Sequence, residues 1–228
     1  EKGIQFAIAS GRPWASVEHA FEPVKRKIFY VANNGAYVGC CGRSLYVYSI
    51  EQELVHRIIK KVRRYPDLEV VYAGANGDYL ESSNERLMNW LIESYKFNLT
   101  RVDDLLGLDE PCVKVSIYKS QGIEAASRDI YEEFKDELKM SCAGDMWMDC
   151  MAKGVNKGRA IRTIQESLHI KPEETMAFGD QLNDMEMLEQ AYYSFAVANA
   201  RDEVRKAARF QADSNENDGV LKILKHLL

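Results

Sequence analysis

The sequence predicts an α/β protein in which a core with a parallel sheet is interrupted by an inserted α+β domain. Three observations lead there. Near both ends of the chain a short apolar run stops at a turn and gives way to helical periodicity, as in the units of a parallel sheet. Ile4-Gln5-Phe6-Ala7-Ile8-Ala9 stops at Ser10-Gly11-Arg12-Pro13, and Thr175-Met176-Ala177-Phe178 stops at Gly179-Asp180. From Glu51 to about Cys150 the pattern changes to an alternation of helices and strands that can close as a layer of its own. Finally, 228 residues with 46% hydrophobic content can build a sizeable core, as one domain or two small ones.

Taken in order, the Ile4 run is the first strand and a helix begins near Trp14. Ile28-Phe29-Tyr30-Val31 is the second strand, followed by the turn Ala32-Asn33-Asn34-Gly35-Ala36, and Leu45-Tyr46-Val47-Tyr48 leads outward. The inserted stretch opens with a helix over 51–64, whose apolar positions are Leu54, Ile58, Ile59 and Val62. Strands near 68–73 and 78–82, a helix near 84–95 and a strand over 113–118 follow. A helix near 122–138 and strands near 138–143 and 146–150 complete it. From Met151 onward the pattern of a parallel sheet returns, with Ile161, Ile164 and Leu168 marking one helix. Crossings near 46–50 and 150–154 divide the chain into a core of 1–46 and 151–228 and an inserted domain of 47–150.

Composition excludes several classes of function. A net charge of −5 and a pI near 5.5 argue against a nucleic-acid partner held on a broad basic face. The one basic cluster, Lys60-Lys61-Val62-Arg63-Arg64, lies on an amphipathic helix and reads as its solvated side. No apolar run reaches the length of a membrane-spanning helix, so no membrane partner is expected. Cys40, Cys41, Cys112, Cys142 and Cys150 are odd in number and lack paired zinc spacing, which makes a reducing cytoplasm the simplest setting. His19, His56, His169 and His226 do not cluster, so zinc-hydrolase and Ser-His-Asp chemistries lack support. Dinucleotide and P-loop fingerprints are missing as well.

Phe178-Gly179-Asp180-Gln181-Leu182-Asn183-Asp184 carries the chemistry. Asp180 stands at the carboxyl edge of a strand, where open α/β sheets collect ligands, and Asp184 lies one turn further on the same side. Two carboxylates with Asn183 beside them suit Mg²⁺, which prefers oxygen ligands and keeps waters and substrate phosphate in its shell. The same residues also suit a helix start, with Asp180 and Asn183 as caps and Asp184 near the dipole. Ser10 and Gly11 offer a hydroxyl and a flexible N–H at a strand end before a helix, a cradle for phosphate or an ordinary turn. Lys157 in Lys153-Gly154-Val155-Asn156-Lys157-Gly158 puts an ammonium where a helix already favours anions, or is a solvated lysine on a first turn.

In their order these segments resemble motifs II, III and IV of the haloacid dehalogenase superfamily of phosphohydrolases, and most closely its Cof-type sugar-phosphatase branch. Ser10 looks like the motif II hydroxyl, Lys157 like the motif III lysine, and Gly179-Asp180-Gln181-Leu182-Asn183-Asp184 like motif IV. Ala32-Asn33-Asn34-Gly35-Ala36 is similar to the Asn-Gly-Ala turn of these proteins. Phe195-Ala196-Val197-Ala198-Asn199-Ala200 and Ser214-Asn215-Glu216-Asn217-Asp218-Gly219-Val220 are similar to their C-terminal segment, with Val197-Ala198 where Met-Gly is usual. The resemblance covers nearly the whole chain.

The resemblance implies a Rossmann-like core, a large α/β cap over 47–150 that selects the leaving group, and Mg²⁺-dependent hydrolysis of small phosphorylated metabolites, sugar phosphates above all, by a monomer or weak homo-oligomer. It also implies roles: Ser10, Gly11, Lys157 and Asn183 bind the phosphoryl group, Ser10, Lys157 and Asp180 serve catalysis, and Asp180 and Asp184 hold or orient the metal. The family's motif I, Asp-x-Asp-Gly, supplies a nucleophile and a general acid and base, yet no Asp precedes Asp67. Glu1-Lys2-Gly3 reads as the tail of a helix entering the Ile4 strand. One more strand and helix, on the order of 30 or more residues, are therefore expected before Glu1, and the nucleophile with them. Two alternatives stay open: a phosphosugar mutase of the same superfamily, and a non-catalytic protein that binds phosphometabolites. Substrate specificity is expected from the cap turns Gly74-Ala75-Asn76-Gly77-Asp78 and Cys142-Ala143-Gly144-Asp145-Met146-Trp147.

Overall fold

In the computed structural model, which describes residues 3–227 with the side chain of Leu227 excepted, the chain opens on a short parallel pair. Strand β1 (Ala7–Ala9) runs beside β2 (Phe29–Ala32), and helix α1 (Trp14–Ala20) crosses between them. The helix tail expected at Glu1 and Lys2 lies outside the described residues. Strands β3 (Tyr37–Cys40) and β4 (Arg43–Val47) add antiparallel to give the order β1-β2-β3-β4. The sequence conceals this last hairpin because its turn is made by Cys41 and Gly42, both at positive φ, and a cysteine is no turn signal. Val17, Ile28, Tyr30, Ala32 and Tyr37 form the core of this sheet, with Trp14 stacked on Tyr37.

A six-stranded sheet follows. Helix α2 (Gln52–Val62) leads to β5 (Glu69–Gly74), β6 (Asp78–Leu80), α3 (Glu85–Tyr95) and β7 (Leu99–Arg101). Then come β8 (Cys112–Tyr118), α4 (Ile123–Ala126), α5 (Arg128–Phe134), β9 (Leu138–Ala143) and β10 (Trp147–Ala152), in the sheet order β7-β6-β5-β8-β10-β9. The single helix expected near 122–138 is two, because Ser127 leaves helical geometry and its hydroxyl donates to the Ile123 carbonyl at 2.6 Å. One face of the sheet, with Val70, Tyr72, Val115, Ile117, Met148 and Cys150, packs in a single apolar cluster with Val55, Ile58 and Ile59 of α2 and Ile130 and Phe134 of α5. On the other face, Val71 and Leu80 meet Leu87 and Leu91 of α3.

The remaining chain is a regular parallel unit. Helix α6 (Lys157–Leu168) precedes β11 (Met176–Gly179), α7 (Met185–Glu189), β12 (Tyr193–Val197), α8 (Asp202–Ala207), β13 (Phe210–Ala212) and α9 (Gly219–Leu227). Its sheet order is β11-β12-β13, all parallel. The α/β class holds, with parallel pairing in the first and third sheets. By contacts the chain separates into two compact units, 1–155 and 156–228, so the first unit contains both the four-stranded and the six-stranded sheets.

Candidate active site

In the second unit, Asp180 follows the last residue of β11, at the strand's carboxyl end as its sequence context predicts. Asp184 folds back under it: its Oδ2 accepts the N–H groups of Asp180 and Gln181, both at 3.0 Å. Gly179 makes this possible, since a Cβ there would stand 2.7 Å from the Asp184 Cβ. The other oxygen of Asp184, Oδ1, takes a hydrogen bond from Lys157 Nζ at 2.5 Å. Both side chains are buried. Such a pair is held by charge and by its backbone donors together, because an ion pair alone rarely offsets its desolvation.

Lys157 reaches this place because α6 starts there. Asn156 caps the helix, its side chain accepting the Arg159 N–H at 2.7 Å. Gly158 then lets α6 come close to α7, for a Cβ at that position would lie 2.2 Å from the Glu186 carbonyl oxygen. The lysine is thus no solvated first-turn residue. It is 5% exposed.

Asp180 and Asp184 differ in what they have left to offer. Both oxygens of Asp184 are committed to the lysine and the backbone. Asp180 is partly exposed and accepts the Gln181 amide on Oδ2 at 2.9 Å, while Oδ1 takes no hydrogen bond from the described residues. That donor set fits Mg²⁺ bound in its usual manner, through one or two carboxylates with waters and phosphate oxygens filling the shell. No three His, Cys, Asp or Glu side chains gather as a cage among the described residues. Asn183, in the same turn, is exposed.

Ser10 and Gly11 belong to the first unit. The Ser10 N–H donates to the Val31 carbonyl at 2.8 Å, extending the β1–β2 pairing by one bond. Its Oγ accepts the Arg12 N–H at 3.1 Å, which leaves the hydroxyl hydrogen for another acceptor. Two further bonds tie this loop to the turn after β2: Asn34 N–H to the Ser10 carbonyl and Asn33 N–H to the Arg12 carbonyl. A side chain at Gly11 would press on the Asn34 amide, 3.0 Å from its Oδ1. Asn33, Asn34 and Gly35 all have positive φ, which asparagine tolerates better than most residues.

Sequence reasoning passed over Gln181 and Glu110. Gln181 sits between Asp180 and Asp184, where an uncharged amide gives no signal in the sequence. Glu110 anchors the turn between β5 and β6 from 31 or more residues away: its carboxylate accepts the Asn76 N–H and the Tyr79 hydroxyl, and its carbonyl accepts the Tyr72 hydroxyl. Gly74 provides the room, since a Cβ there would meet the Glu110 carboxylate at 2.6 Å. No local pattern announces such a partner. No helix among the described residues is long and apolar enough to cross a membrane.

Residues 1–224 match the model of the haloacid dehalogenase-like hydrolases. The 5-amino-6-(5-phospho-D-ribitylamino)uracil phosphatase YbjI of Escherichia coli is 30% identical, over 99% of this chain and 85% of its own length. A crystal structure from Eubacterium rectale superposes with a TM-score of 0.92 at 31% identity, covering 100% of this chain and 87% of that one. The subclass IIB sugar phosphatase BT4131, 22% identical, shares the fold with a TM-score of 0.76 over 99% of this chain and 86% of its own. On the strength of the match over residues 1–224 and of these likenesses, the chain belongs to the haloacid dehalogenase-like hydrolases, as a phosphatase of the Cof type.

Proposed function

We propose that this phosphatase hydrolyses small phosphorylated metabolites carrying a sugar or polyol group, with Mg²⁺ bound at Asp180 and an aspartyl-phosphate intermediate. The observation that carries the reading is the division of labour between Asp180, open to a ligand, and Asp184, closed by Lys157 and two N–H groups. Asp180 would hold the metal, and Mg²⁺ bound there offsets charge on the phosphoryl oxygens. Asp184 orients the Asp180 backbone and fixes the Lys157 ammonium in place. Lys157 in turn supplies positive charge to the transferring phosphoryl group, and the Ser10 hydroxyl with the Gly11 N–H donates to its oxygens. Asn183 orients that group. The E. coli relative is named for a ribityl phosphate ester, which is in keeping with a hydroxyl-rich leaving group.

None of these groups is the attacking carboxylate that the family resemblance implies, so the test uses the full gene product. Asp180→Ala should lower turnover of a phosphate ester by roughly two orders of magnitude or more. Its thermal midpoint should stay close to that of the parent, because among the described residues the side chain's one bond is to its neighbour Gln181. Turnover within a few-fold of the parent would refute the assignment.

A further inference from the structure

The two faces of the six-stranded sheet are chemically unlike. One is apolar throughout its contact with α2 and α5. The other carries Asp78 on β6, Lys114 and Ser116 on β8, and Asp149 on β10, with 3, 6, 5 and 9% of their surface exposed. Register gathers them: Asp78 and Lys114 both pair with Ala73, and Ser116 pairs with Asp149. Ser116 Oγ donates to Asp149 Oδ1 at 2.6 Å, and Lys114 Nζ donates to Oδ2 at 3.2 Å. The ammonium has donors to spare, and Asp78 is bonded to neither Lys114 nor Asp149. Stability does not account for such a cluster, since apolar packing of similar volume serves a buried sheet face as well or better.

A second group of underused polar atoms lies close by. Ala73, the residue with which Asp78 and Lys114 both pair, packs with Met151 and Val155 against Ala36. Ala36 closes the Asn33–Gly35 turn, whose N–H groups hold the Ser10 loop. In that turn Asn33 is 3% exposed, and its Oδ1 has no hydrogen-bond partner among the described residues. A buried acceptor left open is rare, and here it stands beside the loop assigned to the phosphate.

We propose that Lys114, Asp78 and Asn33 bind the hydroxyl groups of the leaving polyol or sugar, an assignment that rests on the phosphatase reading above. Lys114 donates to a hydroxyl oxygen, while Asp78 and Asn33 Oδ1 accept hydroxyl hydrogens. Asp149 and Ser116 act as positioning residues that aim the ammonium. A site built this way discriminates strongly against esters that lack the hydroxyls, because its buried polar groups then go unpaired.

The test compares two esters on the full gene product: ribitol 5-phosphate, and p-nitrophenyl phosphate, which has no hydroxyl on its leaving group. In Lys114→Met, kcat/KM for the ribitol ester should fall at least roughly tenfold more than for the nitrophenyl ester, mainly through KM. Asp78→Asn, nearly isosteric, carries the same comparison if the lysine variant does not fold. Equal losses on both esters, or no loss on either, would mean a structural cluster and overturn the proposal. Hydrolysis of the nitrophenyl ester with no turnover of any sugar or polyol phosphate by the parent would overturn it too, leaving the phosphatase reading intact. Failure of the parent on both esters would remove the phosphatase reading itself, and the proposal with it.

Discussion

Lys157 Nζ lies 2.5 Å from Asp184 Oδ1 although 27 positions separate the two residues, and each side chain is buried. Asp184 is therefore the residue through which α6 and the strand end of β11 act on each other. Its second oxygen holds the Asp180 and Gln181 backbone, so a change at Lys157 is felt where Asp180 presents its carboxylate.

Removing the lysine alone should be costly. Lys157→Met strands a buried carboxylate, and we expect a loss of about 3–5 kcal/mol in urea unfolding together with loss of phosphatase turnover. Pairing it with Asp184→Leu should restore part of the stability and none of the activity. If the double variant is no more stable than the single one, the pair is not coupled as described.

The close approach of α6 to α7 gives a second prediction. Gly158→Ala places a methyl 2.2 Å from the Glu186 carbonyl and should destabilise the protein by about 1–3 kcal/mol. Gly107→Ala, where nothing lies within 4 Å of the added carbon, should stay within about 0.5 kcal/mol of the parent. Equal denaturation midpoints for the two variants would contradict the packing.

Stability should also depend on pH through Asp78. Burial pushes its carboxyl up to about 7, helped by the negative charge of Glu110 and opposed by Lys114 and a hydrogen bond from the Asn98 backbone. The folded protein then binds more protons than the unfolded chain between about pH 4 and pH 7, so this group's contribution is full below that window and is lost as pH rises through it. Asp78→Asn should flatten that part of the stability profile, read as urea midpoints across the window. A parent profile that rises through the same range, and is unchanged by the substitution, would rule out the buried carboxyl as its source.

How much of this was legible beforehand depends on distance along the chain. Asp180 at a strand end, the helix starting at Lys157 and the loop at Ser10 each follow from a few adjacent residues, and each stands where its local pattern puts it. The helix near 122–138 was misjudged at Ser127, where a side chain competes for its own backbone. The β3–β4 hairpin was missed because Cys41 adopts a conformation that composition does not advertise. Lys114, Ser116 and Asp149 alternate with apolar residues along their strands, and such an alternation names no partner for its polar positions.

By itself, then, the sequence determined most of the elements and the order of the motifs, since strand and helix periods, turn residues and strand-end carboxylates are properties of short stretches. Tertiary structure alone decided what those groups do to one another. It assigned Asp184 to Lys157 and left Asp180 open, and through strand register it turned four scattered polar residues into one buried cluster. The reason is physical: hydrogen bonding and burial are set by which distant segments pair, and pairing β8 one residue out of register would send Lys114 and Ser116 to the opposite face.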